Sequence, residues 1–283
     1  MGAPMAARLA RGGHALAVFD ASPAALDGFL AQHPAKRAQS PREAAEAADV
    51  VVTMLPTSAI VGEVLHGAGG VLSRLKPGAL LLEMSSGAPA MTQQFANAVA
   101  QAGGALVDAP VSGGVARALT GELAIMVGGP AEAVERARPL LALMGTSILP
   151  TGDVGTAHAM KALNNLVSAA GLLISVEALL IGKRFGLDPA VMVDVLNAST
   201  GTNNSTQKKL KPFVLSREFN SGFGLELMVK DLTIALGIAR DGGVAAPLAS
   251  LTRELWAAGL AMQVGPDHTD IARFSERLAG LEL

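Results

Sequence analysis

Apolar residues in the first half of the chain come in short, nearly unbroken runs. Residues 14–20 (HALAVFD), 49–55 (DVVVTML), 79–84 (ALLLEM), 105–108 (ALVD), 123–127 (LAIMV) and 147–149 read as strands. The first three lack polar alternation, which fits parallel strands covered on both faces. Helix starts lie between them. Ser22 and Pro23 read as a cap and a first helical residue. Ser40 and Pro41 repeat that signal, with Glu43 placed for a capping box. Residues 89–102 have amphipathic spacing. Strands alternating with helices predict an open, doubly wound α/β domain.

After about residue 151 the strand signals stop. A helical pattern covers 156–185, and Gly186 ends it. Asp188-Pro189 starts the next helix, and further helices are expected at 207–216, 227–241, 245–263 and 267–280. The predicted fold is therefore α/β: an N-terminal Rossmann-type doubly wound sheet at 1–152, then an all-α C-terminal domain at 153–283, joined through the long helix.

Composition narrows the function classes. Lys plus Arg number 22 and Asp plus Glu 24, a net charge of -2, which argues against nucleic acid as the main partner. There is no Cys, so no disulfide, thiol nucleophile or Cys-bound metal. There is no Tyr, which excludes a phenol acid. The five His show no metal-ligand spacing, and surface or packing roles are expected for all of them, with His158 one turn before Lys161. The apolar run 162–181 holds Asn164, Asn165 and Glu177. It reads as a buried helix of a soluble, cytoplasmic protein, not as a membrane span.

Several segments carry chemistry. A short helix pattern after Gly2 leads into a strand ending at Asp20, 18 residues later. This is the back half of a dinucleotide fold, whose front would be a strand and the first two glycines of G-x-G-x-x-G. The expectation is that about ten to twelve residues of that fold precede Met1. Gly2 would be the third glycine, placed for close helix–strand packing. Asp20 would bind the adenosine ribose, and an acid there favours NAD over NADP. The plainer reading is that Asp20 only ends a strand.

Lys161 and Asn165 share one helix face, with Asn164 alongside. Two readings stand: a solvated stripe with a structural Asn, or a cation and an amide that converge on a hydroxyl and a carboxylate. Ser112 with the N–H groups of Gly113 and Gly114 is either a carboxylate cradle or an ordinary turn. Lys230 and Asp231 are a structural ion pair or an exposed face.

Taken in order, eight segments resemble the β-hydroxyacid dehydrogenase family, whose members include 3-hydroxyisobutyrate dehydrogenases and tartronate semialdehyde reductases. They are MGAPMA (1–6), VFD (18–20), TMLPT (53–57), EMSS (83–86), DAPVSGG (108–114), IMVGG (125–129), GTAHAMKALNN (155–165) and GFGLELMVKDL (222–232). The resemblance implies hydride transfer between NAD and a small β-hydroxy acid or its semialdehyde. It implies that Lys161 is the proton-transfer group, that Asn165 holds the substrate, and that Ser112, Gly113 and Gly114 grip its carboxylate. Ser85 and Ser86 would lie beside the nicotinamide and substrate, Leu55 and Pro56 under the cofactor. Lys230 would contact the cofactor, and Phe223 and Asp231 would close the pocket. A homodimer or homotetramer is implied too. Alternatives are an NADPH-dependent aldehyde reductase, which Asp20 followed by Ala21 and Ser22 disfavours, and a non-catalytic dimerising NAD-binding module, which the presence of Lys161, Asn165 and Ser112 disfavours. Arg117 departs from relatives with Gly or Ala there. It either adds an anion contact or points into solvent. The stretch 197–206 also differs from 3-hydroxyisobutyrate enzymes.

Overall fold

The computed structural model describes all 283 residues. The chain divides into two compact units, Met1–Lys161 and Ala162–Leu283.

The first unit runs through α1 (Gly2–Arg11), β1 (Ala17–Val18), α2 (Pro23–Leu30), β2 (Lys36–Arg37), α3 (Pro41–Ala45), β3 (Val50–Thr53), α4 (Ser58–His66) and β4 (Leu80–Glu83). It continues with α5 (Pro89–Gln101), β5 (Ala105–Asp108), β6 (Val111–Ser112), α6 (Gly114–Thr120), β7 (Leu123–Gly128), α7 (Ala131–Met144) and β8 (Gly145–Gly152). Strands β3, β4 and β5 are parallel and in order. Their apolar runs are explained by two cores, one on each face. Leu80, Leu82 and Met84 join one cluster, while Ala79 and Leu81 join the other. Successive residues point to opposite faces, so both parities must be apolar.

The sheet departs from expectation in three places. Strand β1 is two residues long, not seven, and pairs only with β2. In a 3-2-1-4-5-6 sheet a central strand would join this pair to β3, and no strand of these residues takes that place. The 108–114 segment is not all loop. It forms β6, antiparallel to β7 with Ser112 opposite Ala124. β7 also pairs antiparallel with β5, so the sheet is mixed.

The caps follow the sequence. Ser22 Oγ accepts from Ala25 N–H at 3.3 Å, and Ser40 Oγ from Glu43 N–H at 3.2 Å. Glu43 reaches back to Gln39 N–H at 2.9 Å, one residue beyond the expected box partner.

The helix α8 (Thr156–Phe185) starts in the first unit and continues into the second, followed by α9 (Pro189–Asn197), α10 (Asn204–Lys208), α11 (Leu225–Asp241), α12 (Pro247–Ala261) and α13 (Ile271–Ala279). Ala169, Leu172, Leu173, Val176, Leu179 and Leu180 give α8 a buried face in a core that includes Trp256. By length and composition α8 could cross a membrane, but half of its most apolar window is buried in the protein. The helix expected at 207–216 is broken: α10 ends at Lys208 and a π-helical turn covers Leu210–Leu215. Pro212 explains this, since it lacks an N–H and disfavours an α-conformation before it.

Candidate active site

In the first unit, the ends of two parallel strands are tied to the first turn of α8. Asp108 ends β5. Its Oδ1 accepts from Gly155 N–H at 2.8 Å and its Oδ2 from His158 N–H at 3.0 Å. It thus caps the long helix from another element. Gly128 must lack a side chain, because a Cβ there would lie 2.7 Å from Asp108 Oδ1.

Glu83 ends β4 and is buried, as is His158. His158 Nε2 is 2.9 Å from Glu83 Oε2 and 3.0 Å from the Ser85 carbonyl. Its Nδ1 is 2.7 Å from Thr92 Oγ1 and 3.8 Å from Asp108 Oδ2. Burial acts most strongly on the ring and lowers its pKa, but the hydrogen bond and charge of Glu83, with the charge of Asp108, outweigh it and raise the value. Burial raises the Glu83 pKa, yet His158 and the Ser85 donors bring it below its ordinary value. Asp108 is raised, because burial exceeds the help from His158 and the backbone donors.

Lys161 lies one turn after His158 and is only 8% exposed; Asn165 follows one turn later, also buried. Burial rules out the solvated-stripe reading. In the second unit Asn165 Nδ2 donates to Asp231 Oδ2 at 2.5 Å, and Asn164 Nδ2 donates to Asn165 Oδ1 at 3.1 Å. The amide is held at both ends. Asp231 is buried and lies 3.2 Å from Lys230 Nζ, so it orients Asn165 and pairs with its neighbour. Phe223 is half-buried. Its ring meets His268 edge-on at 5.5 Å, and its carbonyl accepts from His268 N–H at 2.7 Å.

The other expected residues are placed as follows. Ser112 is half-buried on β6, and Gly113 and Gly114 have φ of +134° and +70°, which side-chain-bearing residues rarely adopt. A Cβ on Gly113 would meet Arg117 Cδ at 2.7 Å, so the exposed Arg117 side chain lies over this loop. Ser85 is fully buried and its Oγ accepts from Leu55 N–H at 2.9 Å. It supports the loop of Leu55 and the exposed Pro56 from beneath, and Ser86, half-buried, is the more accessible of the pair.

NAD fits the first unit on its own residues. Helix α1 opens at Gly2 with no side chain capping its first turn, which leaves N–H donors for phosphate. Asp20 is exposed just past β1, with Oδ1 accepting from Ser22 N–H at 2.8 Å, and suits ribose hydroxyls. Gly2 lies against the end of β3, where a Cβ on it would come 3.8 Å from Met54 Cβ, an ordinary contact.

Comparison with known proteins decides the family. The model of the NAD binding domain of 6-phosphogluconate dehydrogenase matches residues 1–152, and that of the NAD-binding of NADP-dependent 3-hydroxyisobutyrate dehydrogenase matches 155–275. The chain is 34% identical to a 2-(hydroxymethyl)glutarate dehydrogenase of Eubacterium barkeri, over 100% of this chain and 94% of that one. The chain belongs to the β-hydroxyacid dehydrogenase family. An NAD-dependent L-serine dehydrogenase of Pseudomonas aeruginosa is 38% identical over 90% of this chain and 88% of its own. A solved structure of Mycobacterium tuberculosis 3-hydroxyisobutyrate dehydrogenase with L-serine superposes with a TM-score of 0.88 at 33% identity, covering 96% of this chain and 94% of that one. As a β-hydroxyacid dehydrogenase, the protein is an NAD-dependent oxidoreductase acting on CH–OH groups of hydroxy acids.

Three groups in this dehydrogenase escaped the sequence reading: Glu83, Asp108 as a helix cap, and His158. Of the five histidines, His158 and His268 are buried, each in a polar network. The available signal was a carboxylate ending an apolar run (ALLLE, ALVD) and an imidazole on an apolar helix, because a buried charge needs a partner.

Proposed function

We propose that this dehydrogenase oxidises a small β-hydroxy acid, with Lys161 as the proton-transfer group. The observation that carries this reading is a buried lysine on α8, one turn from an asparagine whose amide is fixed by Asp231 and Asn164. Bound NAD supplies the hydride acceptor. Lys161, as the amine, takes the hydroxyl proton at Nζ while the carbon beside it loses its hydride, and gives a proton back in the reverse direction. Asn165 holds the substrate oxygen. Ser112 with the N–H groups of Gly113 and Gly114 binds the carboxylate, with Ser86 beside it and Phe223 excluding water. Gly2, Asp20, Leu55, Pro56, Ser85 and Lys230 hold or support NAD, within a cofactor domain at 1–152 and a substrate domain at 153–283.

The relatives' names suggest 3-hydroxyisobutyrate, L-serine and 2-(hydroxymethyl)glutarate as candidates. Arg117 over the carboxylate loop supports a substrate with a second anionic group. The Arg117→Ala variant is then expected to raise KM for 2-(hydroxymethyl)glutarate several-fold and leave that for 3-hydroxyisobutyrate nearly unchanged. The protein is cytoplasmic in this reading and acts as a homodimer or homotetramer. Support for assembly comes from exposed Val167, Ile174, Ile181 and Phe185 along α8. NADH absorbance with these three acids, D-glycerate, L-threonate and 4-hydroxybutyrate tests the assignment. Turnover of at least one supports it, and turnover of none favours a cofactor-binding module without activity.

A further inference from the structure

The His158 network does more than fill space. Each ring nitrogen faces an acceptor. Nε2 points at a carboxylate oxygen of Glu83 and at the Ser85 carbonyl, neither of which carries a proton to give if Glu83 is ionised. Nδ1 faces Thr92 Oγ1, whose own hydrogen is directed to the Ala88 carbonyl at 3.1 Å. With the Thr92 hydrogen on the Ala88 carbonyl, the ring satisfies both sides by carrying two protons, whereas a Thr92 hydroxyl turned toward Nδ1 would leave it neutral. The charged groups facing it are Glu83 from the end of β4 and Asp108 from the end of β5, while α5 contributes only the neutral Thr92. Two carboxylates and no other cation in this set make a neutral ring the costlier choice.

The connections run to functional segments. Glu83 Oε1 accepts from Ser85 N–H at 2.9 Å, and the Ser85 hydroxyl holds Leu55 N–H. The His158 backbone is held by Asp108, in the helical turn that leads to Lys161. We propose that His158 is a positioning residue for hydride transfer: a doubly protonated ring that locks the strand end carrying Ser85, and through it the Leu55 loop, to the helical turn preceding Lys161. It touches neither substrate nor cofactor in this role. It fixes the spacing between the cofactor loop and the lysine, where a displacement of about 1 Å can cost on the order of 10²-fold in rate.

This inference rests on the reading of Lys161 as the proton-transfer group for its kinetic consequence, but not for the charge on the ring. The first test is nitrogen NMR of the histidine-labelled wild-type protein at about pH 8, above the ordinary histidine value of about 6.5. His158, assigned by loss of its signal in His158→Gln, is expected to show imidazolium shifts at both ring nitrogens. A neutral-imidazole pattern would overturn the proposal. The second test is turnover. Folded His158→Gln is expected to lose on the order of 10²-fold in kcat. In Glu83→Gln, the ring keeps only Asp108 as a counter-charge and its pKa falls, so kcat/KM acquires a fall with rising pH that the wild type lacks. A folded His158→Gln with wild-type kcat would overturn the positioning role. Should Lys161→Ala retain full kcat, the lysine reading fails while the NMR result still stands or falls alone.

Discussion

His158 in the first unit and His268 in the second are both buried beside carboxylates, yet their pKa values are pushed in opposite directions. His268 Nδ1 is 2.8 Å from Ser221 Oγ, with Asp267 Oδ1 at 3.5 Å. Its ring stacks on Trp256 at 6.5 Å. Burial lowers its pKa most, Lys209 adds to that, and Asp267 does not restore it. The difference lies in the charges around each ring. Asp267 accepts from Ser221 Oγ, Gly222 N–H, Thr269 N–H and Thr269 Oγ1, all neutral donors. The hydrogen bond with His268, followed by those from Thr269 and Ser221, holds its pKa far below the usual carboxylate range although burial opposes them. Glu83 likewise takes neutral donors, Thr53 Oγ1 and Ser85 N–H on Oε1, but its Oε2 lies 2.9 Å from the His158 ring and Asp108 sets a second carboxylate beside the same ring. Two carboxylates beside one ring raise its pKa, whereas a single carboxylate beside a buried ring that also faces the Lys209 charge does not.

The largest expected effect separates the two clusters by stability. His158→Leu leaves two buried carboxylates without their cation and is expected to cost about 3–5 kcal/mol. His268→Leu leaves Asp267 with its neutral donors and is expected to cost only about 1–2 kcal/mol. Urea unfolding of both variants checks this, and equal losses would break the comparison.

The pH dependence sharpens it. A histidine with a raised folded pKa gives stability that is complete below the unfolded value of about 6.5 and disappears as pH rises through the folded value. His158 therefore predicts a loss on the alkaline side. A lowered folded pKa gives stability present above about 6.5 and lost as pH falls, so His268 predicts a loss on the acid side, joined at lower pH by Asp267. Tm measured against pH is expected to lose its alkaline limb in His158→Gln and part of its acid limb in His268→Gln. The reverse assignment of limbs would contradict the account. The smallest effect belongs to Thr92→Val. Removing the acceptor on Nδ1 costs about 1 kcal/mol and moves the alkaline limb of the Tm profile to lower pH. A limb moved to higher pH would mean that Thr92 donates to the ring.

The sequence made legible whatever depends on local pattern. The parallel strands β3 to β5 follow from unbroken apolar runs, and the starts of α2, α3 and α9 from Ser22, Ser40 and Asp188 as caps. Lys161, Asn165 and the 112–114 loop were visible as motif positions. What depends on distant partners was hidden. The reach of Asp108 across 47 residues to Gly155 has no local signature, nor has the meeting of Glu83 with His158. Lys230 and Asp231 read as a structural ion pair or an exposed face, and the pair forms at 3.2 Å, but nothing nearby in the chain shows that Asp231 is the anchor of Asn165, 66 residues earlier. The pairing of β6 with β7 was likewise masked by the two glycines that follow it.

The most direct test of the central claim is Lys161→Ala, with kcat followed by NADH absorbance on the best substrate and the NAD dissociation constant by fluorescence titration. The account predicts a fall in kcat on the order of 10²–10⁴-fold with NAD affinity retained. Parallel loss of turnover and NAD binding would show a structural lysine and contradict it.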